Sequence, residues 1–239
     1  MLSMHNHSDI TAVLLAGGLG TRLRPVVSDK PKILADICNR PFVTFLLDQL
    51  VVADIRDVVL CTGYMADEVR EKLGNSYKSL NLTYSKENTP LDTGGALRLA
   101  LPHIQSDFAL VMNGDSFVNV KFAVYIDWFV KKKCPASLLL ANVSDTRRFG
   151  KVLVDENSRL ISFKEKGSDS SSGWINAGVY LIKKSLIETI PGKTPFSLER
   201  DFFPRLIDQG LYGFQFEGEF IDIGTPETFA LAKDFFLSL

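Results

Sequence analysis

The chain has 239 residues, 46% of them hydrophobic, and a formal net charge of −1. That length and apolar content suffice for a sizeable core, while near-neutral charge supplies no general field for nucleic acid or an anionic membrane surface. No apolar run approaches the roughly 18–20 residues of a membrane span. The polar stretch Met1–Asp9 lacks the apolar centre of a secretion signal and reads as a flexible extension of a single domain spanning residues 10–239. Cys38, Cys61 and Cys134 show no C-x-x-C spacing and read as reduced thiols of a cytoplasmic protein. His103 is the one histidine expected inside the folded body, which disfavours His-ligated zinc and a Ser-His-Asp triad.

Taken in order, Ala12–Ala16 is predicted as a strand and Pro41–Ala53 as a helix, with Phe42, Phe45, Leu46 and Leu50 at helical spacing. Asp57–Thr62 reads as a fully buried strand, Ala66–Leu73 as a short helix closed by Gly74, and Leu80–Ser85 as a strand. Thr93–Leu101 follows as a helix and Phe108–Met112 as a strand. Such alternation with near-continuous apolar strands implies an α/β fold whose mostly parallel sheet is covered by helices on both faces. Ligands of such sheets bind beyond the carboxyl ends of the strands, so the loops after Ala16 and after Met112 are expected to share one cleft. The second half adds strands at Ser137–Val143, Lys151–Val154, Leu160–Phe163 and Trp174–Ile182, a flexible loop at Ser168–Gly173, and helices at Ser197–Gln209 and Thr225–Leu239. Lys131–Lys133 reads as a solvated helix end.

The segment Leu14–Ile33 carries the chemistry. Gly17, Gly18 and Gly20 fall within four residues, followed by Thr21, Arg22, Arg24 and Lys32. Glycines allow positive φ and close ligand approach, successive backbone N–H groups form an anion-binding concavity, and Arg and Lys complement phosphate oxygens. Neither G-x-x-x-x-G-K-[ST] nor G-x-G-x-x-G is present. The loop reads as a strand-end cradle for a polyphosphate. Asp115 and Asp222, if they meet at the strand ends, would suit Mg²⁺, a hard ion that takes oxygen ligands. Read singly, Asp115 is also a turn residue beside Gly114, and Asp222 a cap reached through Thr225. Glu165 and Lys166 read singly as a solvated pair, and Asn176 as an amide that satisfies a backbone group.

The pattern G-G-x-G-T-R-x-x-P with a later P-K resembles the signature of the sugar-1-phosphate nucleotidyltransferases, and the resemblance runs from about Ala12 to about Phe229. It implies a Rossmann-like, mostly parallel mixed sheet flanked by helices, with the sugar-binding half in the same domain. It implies nucleotide binding by Leu15, Ala16, Gly17, Gly18, Gly20, Thr21, Asn113 and Gly114. Pro90–Ala96 resembles a loop whose backbone, through Thr93, Gly94 and Gly95, contacts the nucleobase; Asp92 stands where the family usually has glycine. Asp115 and Asp222 match the two metal aspartates. Gly150, Glu165 and Asn176 match sugar-binding positions, and Arg22, Lys32 and Lys166 the catalytic cations. Ile33 replaces a common proline.

The implied reaction joins an NTP and a sugar 1-phosphate, with Mg²⁺, to give an NDP-sugar and pyrophosphate. The chain looks most like the bacterial D-glycero-α-D-manno-heptose 1-phosphate guanylyltransferases, which use GTP and make GDP-heptose for surface polysaccharides. Mannose, glucose or N-acetylmuramate 1-phosphate with another NTP is the alternative. The length leaves no room for the left-handed β-helix tail of longer relatives. A silent regulatory relative would be free to lose Arg22, Lys32, Asp115 and Asp222, all of which are present. A retaining glycosyltransferase usually carries D-x-D, which is absent. A homo-oligomer is left open; nucleic-acid and membrane partners are not expected.

Overall fold

The computed structural model describes residues 7–149, 151–164 and 171–239. The chain runs through β1 (Thr11–Leu15), the small hairpin β2 (Asp36–Ile37) and β3 (Arg40–Pro41), α1 (Val43–Val52), β4 (Asp57–Thr62) and α2 (Ala66–Leu73). Next come β5 (Ser76–Tyr77), β6 (Leu80–Lys86), α3 (Asp92–Ala100), β7 (Phe108–Asn113), β8 (Ser116–Val118) and α4 (Phe122–Lys132). The second half holds β9 (Ala136–Val143), β10 (Lys151–Val154), β11 (Leu160–Lys164), β12 (Gly173–Lys183) and α5 (Lys184–Ile187). A π-helical turn (Leu198–Phe202), α6 (Phe203–Gly210), β13 (Leu211–Phe216), β14 (Phe220–Asp222) and α7 (Pro226–Leu237) complete it.

Ten of the described strands form one sheet along β11-β10-β12-β7-β1-β4-β6-β5, with β9 paired to β12 and β13 to β9. Strands β7, β1, β4 and β6 are mutually parallel, and β12 runs antiparallel to both β7 and β9. Side chains alternate across a strand, and here both sides are buried. Ala12, Leu14, Val58, Leu60, Leu110 and Met112 join one core, with α1 and α4. Val13, Val59, Cys61, Ala109 and Val111 join the other, with α3 and α6. This double burial is why these strands read as unbroken apolar runs rather than alternating ones. No helix among the described residues is long and apolar enough to cross a membrane.

Four expectations change. The N-terminal extension is not wholly loose: His7–Asp9 forms a 3₁₀ turn, and His7 Nε2 lies 3.1 Å from Asp127 Oδ1 on α4; residues before His7 lie outside the described ones. The helix expected from Pro41 starts at Val43, because Pro41 belongs to β3 and the Phe42 N–H donates to Ala35 O. The helix expected over Ser197–Gln209 runs unbroken from Leu198 to Gly210, but its first turn is π-helical, with the Phe202 N–H on Ser197 O, and Pro204 falls in the first turn of α6, where its missing N–H is tolerated. Strand β13 was hidden by Gly213, which lets it approach β9: a Cβ there would lie 2.5 Å from Leu140 Cδ1. The expected loop at Ser168–Gly173 lies partly outside the described residues, and Gly173 itself opens β12.

Candidate active site

Parallel pairing places Leu15 beside Asn113, so the two chains leave the sheet together. The Gly114 N–H donates to Leu15 O at 2.9 Å. A Cβ on Gly114 would sit 2.8 Å from that oxygen, so only glycine allows the approach. The glycine loop is anchored by Ala16 N–H to Cys61 O and closes on itself, with Leu23 and Arg24 N–H groups donating to Gly20 O. Gly20 takes φ +60. Among the described residues, no backbone N–H from Gly17 to Arg22 is spent on a backbone carbonyl. Successive N–H groups of this kind, with Arg22 beside them, are available to an anion.

The glycine loop forms one wall of a cleft of about 350 Å³ that also takes in Leu15, Ala16, Lys32, Glu87, Pro90, Asp92, Thr93, Asn113, Gly114 and Asp115. Glu87 was missed at the level of sequence. Its Oε2 accepts the Leu91 N–H at 3.1 Å. Its Oε1 lies against the glycine loop, where a Cβ on Gly17 or Gly63 would approach it to 2.6 or 2.7 Å. Burial pushes its carboxyl above the usual carboxylate range, against the pull of the Leu91 N–H. The available signal was position: Glu87 directly follows β6, at a carboxyl end of the parallel sheet.

Asp92 adopts φ +60, so it holds the left-handed conformation that the usual glycine would take. Its Oδ1 accepts the Thr93 N–H at 2.8 Å, and its Oδ2 pairs with Arg200. Thr93 faces the cleft, but Gly94 and Gly95 do not line it. Their N–H groups donate to Phe196 O at 2.7 and 3.0 Å, and added Cβ atoms would meet Phe196 and Thr194 O. These two glycines allow α3 to press on the segment behind it; the cleft wall is made by Pro90, Asp92 and Thr93.

The charged centre is built by the short β8–β14 pair, which the sequence did not show. It sets Asp222 opposite Ser116, and the Ile223 N–H donates to Asp115 O at 2.9 Å. Ser116 Oγ lies 3.2 Å from Asp115 Oδ1 and 3.5 Å from Asp222 Oδ2, so the two carboxylates converge. Lys32 Nζ donates to Asp115 Oδ2 at 2.6 Å. Burial opposes charge on Asp115, but the Lys32 ammonium outweighs it and holds the carboxyl below the usual range. Burial first, and then the charge of Asp115, push Asp222 above it. Two converging carboxylates, one of them resisting ionisation, are hard oxygen donors whose repulsion a divalent cation would relieve, so the residues present fit Mg²⁺. No third His, Cys, Asp or Glu completes a cluster among the described residues; a two-carboxylate set leaves positions open for water and phosphate oxygens.

A second cleft, of about 640 Å³, shares Arg22, Asn113 and Asp115 with the first. Its remaining wall includes Ser116, Arg148, Phe149, Phe163, Asn176, Gly178, Glu199, Arg200, Phe220 and Asp222. Asn176 Nδ2 donates to Tyr180 OH and its Oδ1 accepts the Gly178 N–H, both at 2.9 Å. That arrangement orients the amide and leaves its second hydrogen for the cleft. The structure thus brings Arg22, Lys32, Asp115, Asn176 and Asp222 to one place. Gly150, Glu165 and Lys166, expected to contact the sugar and its phosphate, lie outside the described residues.

The profile of the nucleotidyl transferase family matches residues 11–238. The chain belongs to that family. This nucleotidyl transferase is 36% identical over 223 residues to the D-glycero-alpha-D-manno-heptose 1-phosphate guanylyltransferase of Aneurinibacillus thermoaerophilus, across 93% of this chain and 96% of that relative. It is likewise 36% identical over 224 residues to the mannose-1-phosphate guanylyltransferase of Mycobacterium tuberculosis, covering 92% of this chain and 62% of that protein. Among solved structures, HddC from Yersinia pseudotuberculosis superposes with a TM-score of 0.85 at 33% identity, over 95% of this chain and 99% of HddC. HddC complexed with GMP-PN matches with a TM-score of 0.84.

Proposed function

We propose that this nucleotidyl transferase joins GTP to D-glycero-α-D-manno-heptose 1-phosphate, releasing pyrophosphate and forming a GDP-sugar. The observation that carries the reading is the junction: two clefts meet at Arg22, Asn113 and Asp115, beside the Lys32–Asp115–Asp222 cluster. A nucleotide in the first cleft and a sugar phosphate in the second would bring their phosphates together there. Phosphoryl chemistry of this kind rests on positioning and charge compensation rather than on a covalent intermediate.

In this reading an oxygen of the sugar 1-phosphate attacks the α-phosphorus, and the bond from the α-phosphorus to the β-bridging oxygen breaks. Pyrophosphate departs with that electron pair. The N–H groups of Gly17 to Arg22, spent on no backbone carbonyl among the described residues, and the Arg22 guanidinium would hold the charge of the departing group. Lys32 neutralises the phosphates being joined, and Lys166 is assigned the sugar phosphate by family resemblance. Asp115 and Asp222 would hold Mg²⁺, which supplies charge neutralisation at phosphate oxygens when bound. Asn176 offers its remaining amide hydrogen to a sugar hydroxyl.

Guanine is favoured by Glu87. A carboxylate beside the glycine loop can accept from the paired N1–H and N2–H donors of guanine at once, whereas cytosine and adenine offer it one amino group beside a ring acceptor. The names of the guanylyltransferase relatives and of the HddC–GMP-PN complex support the same base. Mannose 1-phosphate is the second reading, favoured by the equally identical mannose-1-phosphate guanylyltransferase. Pyrophosphate release with GTP, CTP, UTP, ATP and dTTP, each against heptose, mannose and glucose 1-phosphates, tests both. Release with GTP and the heptose supports the proposal; release only with another base or sugar replaces it.

A further inference from the structure

The two clefts are joined by a series of side chains that runs from Thr93, which lines the first, to Glu199 and Asn176, which line the second. On the nucleotide side, the Thr93 hydroxyl donates to Glu199 Oε2 at 2.8 Å and accepts the Leu198 N–H at 2.9 Å. The other oxygen of Glu199, Oε1, accepts from Tyr180 OH at 2.9 Å. Tyr180 is wholly buried, and its oxygen accepts the Asn176 amide hydrogen at 2.9 Å. Asn176 faces the second cleft. A single carboxylate therefore stands between the hydroxyl beside the base loop and the amide beside the sugar. Its neighbour Arg200 makes a parallel crossing, lining the second cleft while pairing with Asp92 of the first.

We propose that Glu199 is a positioning residue that couples the two substrate clefts through Thr93 on one side and Tyr180 and Asn176 on the other. This rests on the nucleotidyl-transfer reading and goes beyond it. Each hydroxyl in the series has one orientation that satisfies all its neighbours, so the donors converge on Glu199 from both ends. Tyr180 gives its proton to Glu199 and receives that of Asn176; Thr93 gives to Glu199 and receives that of Leu198. A nucleotide that fixes Thr93 fixes Glu199, and with it the amide that meets the sugar. Coupling between sites is reciprocal, so the sugar phosphate tightens the nucleotide by the same factor.

The test uses the whole chain with Mg²⁺ and the α,β-methylene analogue of GTP, whose α–β bridge cannot be cut. Calorimetry measures its affinity with and without saturating mannose 1-phosphate or the heptose 1-phosphate. The parent is expected to bind the analogue about 5–20-fold more tightly when the sugar phosphate is present, within the usual range of coupling. Tyr180→Phe, Glu199→Gln and Thr93→Val each bring that ratio below about twofold, while Thr93→Ser, which keeps the hydroxyl, retains it. A parent ratio of one, or the parental ratio in both Tyr180→Phe and Thr93→Val, overturns the proposal while leaving the reaction intact. A parent that binds no nucleotide overturns the reaction itself and this coupling with it.

Discussion

Replacing Lys32 with methionine removes the cation while keeping most of the side-chain volume. Lys32 Nζ sits 2.6 Å from Asp115 Oδ2. At an effective dielectric of about 20, the gross attraction over that distance is about 6 kcal/mol, and desolvation of the two ions offsets most of it. Breaking a fully buried pair costs about 3–5 kcal/mol, and an exposed one about 0–1. The side chains here are 12% and 32% exposed, so water softens the loss. An intermediate value of about 1–2 kcal/mol follows, or about 2–4 °C in Tm per kcal/mol for a chain of this size. The deficit is greatest at neutral pH, where Asp115 and Asp222 face each other without the ammonium. It shrinks on acidification, as Asp222, whose pKa is raised, and then Asp115 take protons. Thermal unfolding with and without Mg²⁺ reads this directly. The variant should gain more from Mg²⁺ than the parent does, because the ion replaces the missing charge. Parental melting at pH 7 together with a parental response to Mg²⁺ would show that the Lys32 charge does not hold the two aspartates together.

Arg22→Ala should lower turnover by about 10²–10³, as loss of one stabilising donor does, measured by pyrophosphate release; near-parental turnover would remove Arg22 from the leaving-group site. Glu87→Gln should weaken GTP by about tenfold, the loss of one good base contact, and narrow its advantage over ATP in competitive binding; an unchanged preference would exclude Glu87 as the base reader. Gly178 takes φ +76, and a Cβ there would lie 2.8 Å from Asn113 Nδ2; Gly178→Ala should cost about 1–3 kcal/mol in denaturant unfolding, and parental stability would contradict the strain. Asp48 is buried enough to oppose its charge, but Lys78, Arg40 and Tyr77 donate to it and hold its carboxyl below the usual range. Its stabilisation is thus present above the unfolded carboxylate value of about 3.9 and is lost as pH falls below it. Asp48→Asn should lower stability at pH 7 and flatten the acid limb of the stability curve; an unchanged limb would contradict the assignment.

The parallel half of the fold was legible because strands buried on both faces read as unbroken apolar runs; β1, β4 and β7 all lie within a residue or so of their sequence boundaries. The glycine loop at the end of β1 was legible because glycines followed by cations stand out by residue type alone. Other parts were written in distance rather than in pattern. Strands β8 and β14 have three residues each, too short for periodicity, yet they bring Asp222 to Asp115. Glu87 is a lone acid whose meaning appears only once β6 is known to end beside Gly17. Gly94 and Gly95 matched a nucleobase motif, but their N–H groups go to Phe196, a partner about a hundred residues away in sequence that no local reading would supply. Glu199 was hidden for the same reason: the segment reads as an ordinary helix, and its partners Thr93 and Tyr180 are distant in sequence.

Positional labelling of GTP shows which phosphate bond is cut. With [α-³²P]GTP, Mg²⁺ and the heptose or mannose 1-phosphate, the label should move into the GDP-sugar. With [γ-³²P]GTP it should leave entirely as pyrophosphate. Label from the γ-position found in inorganic phosphate or in the sugar, or α-label remaining in free GMP or GDP, would contradict nucleotidyl transfer.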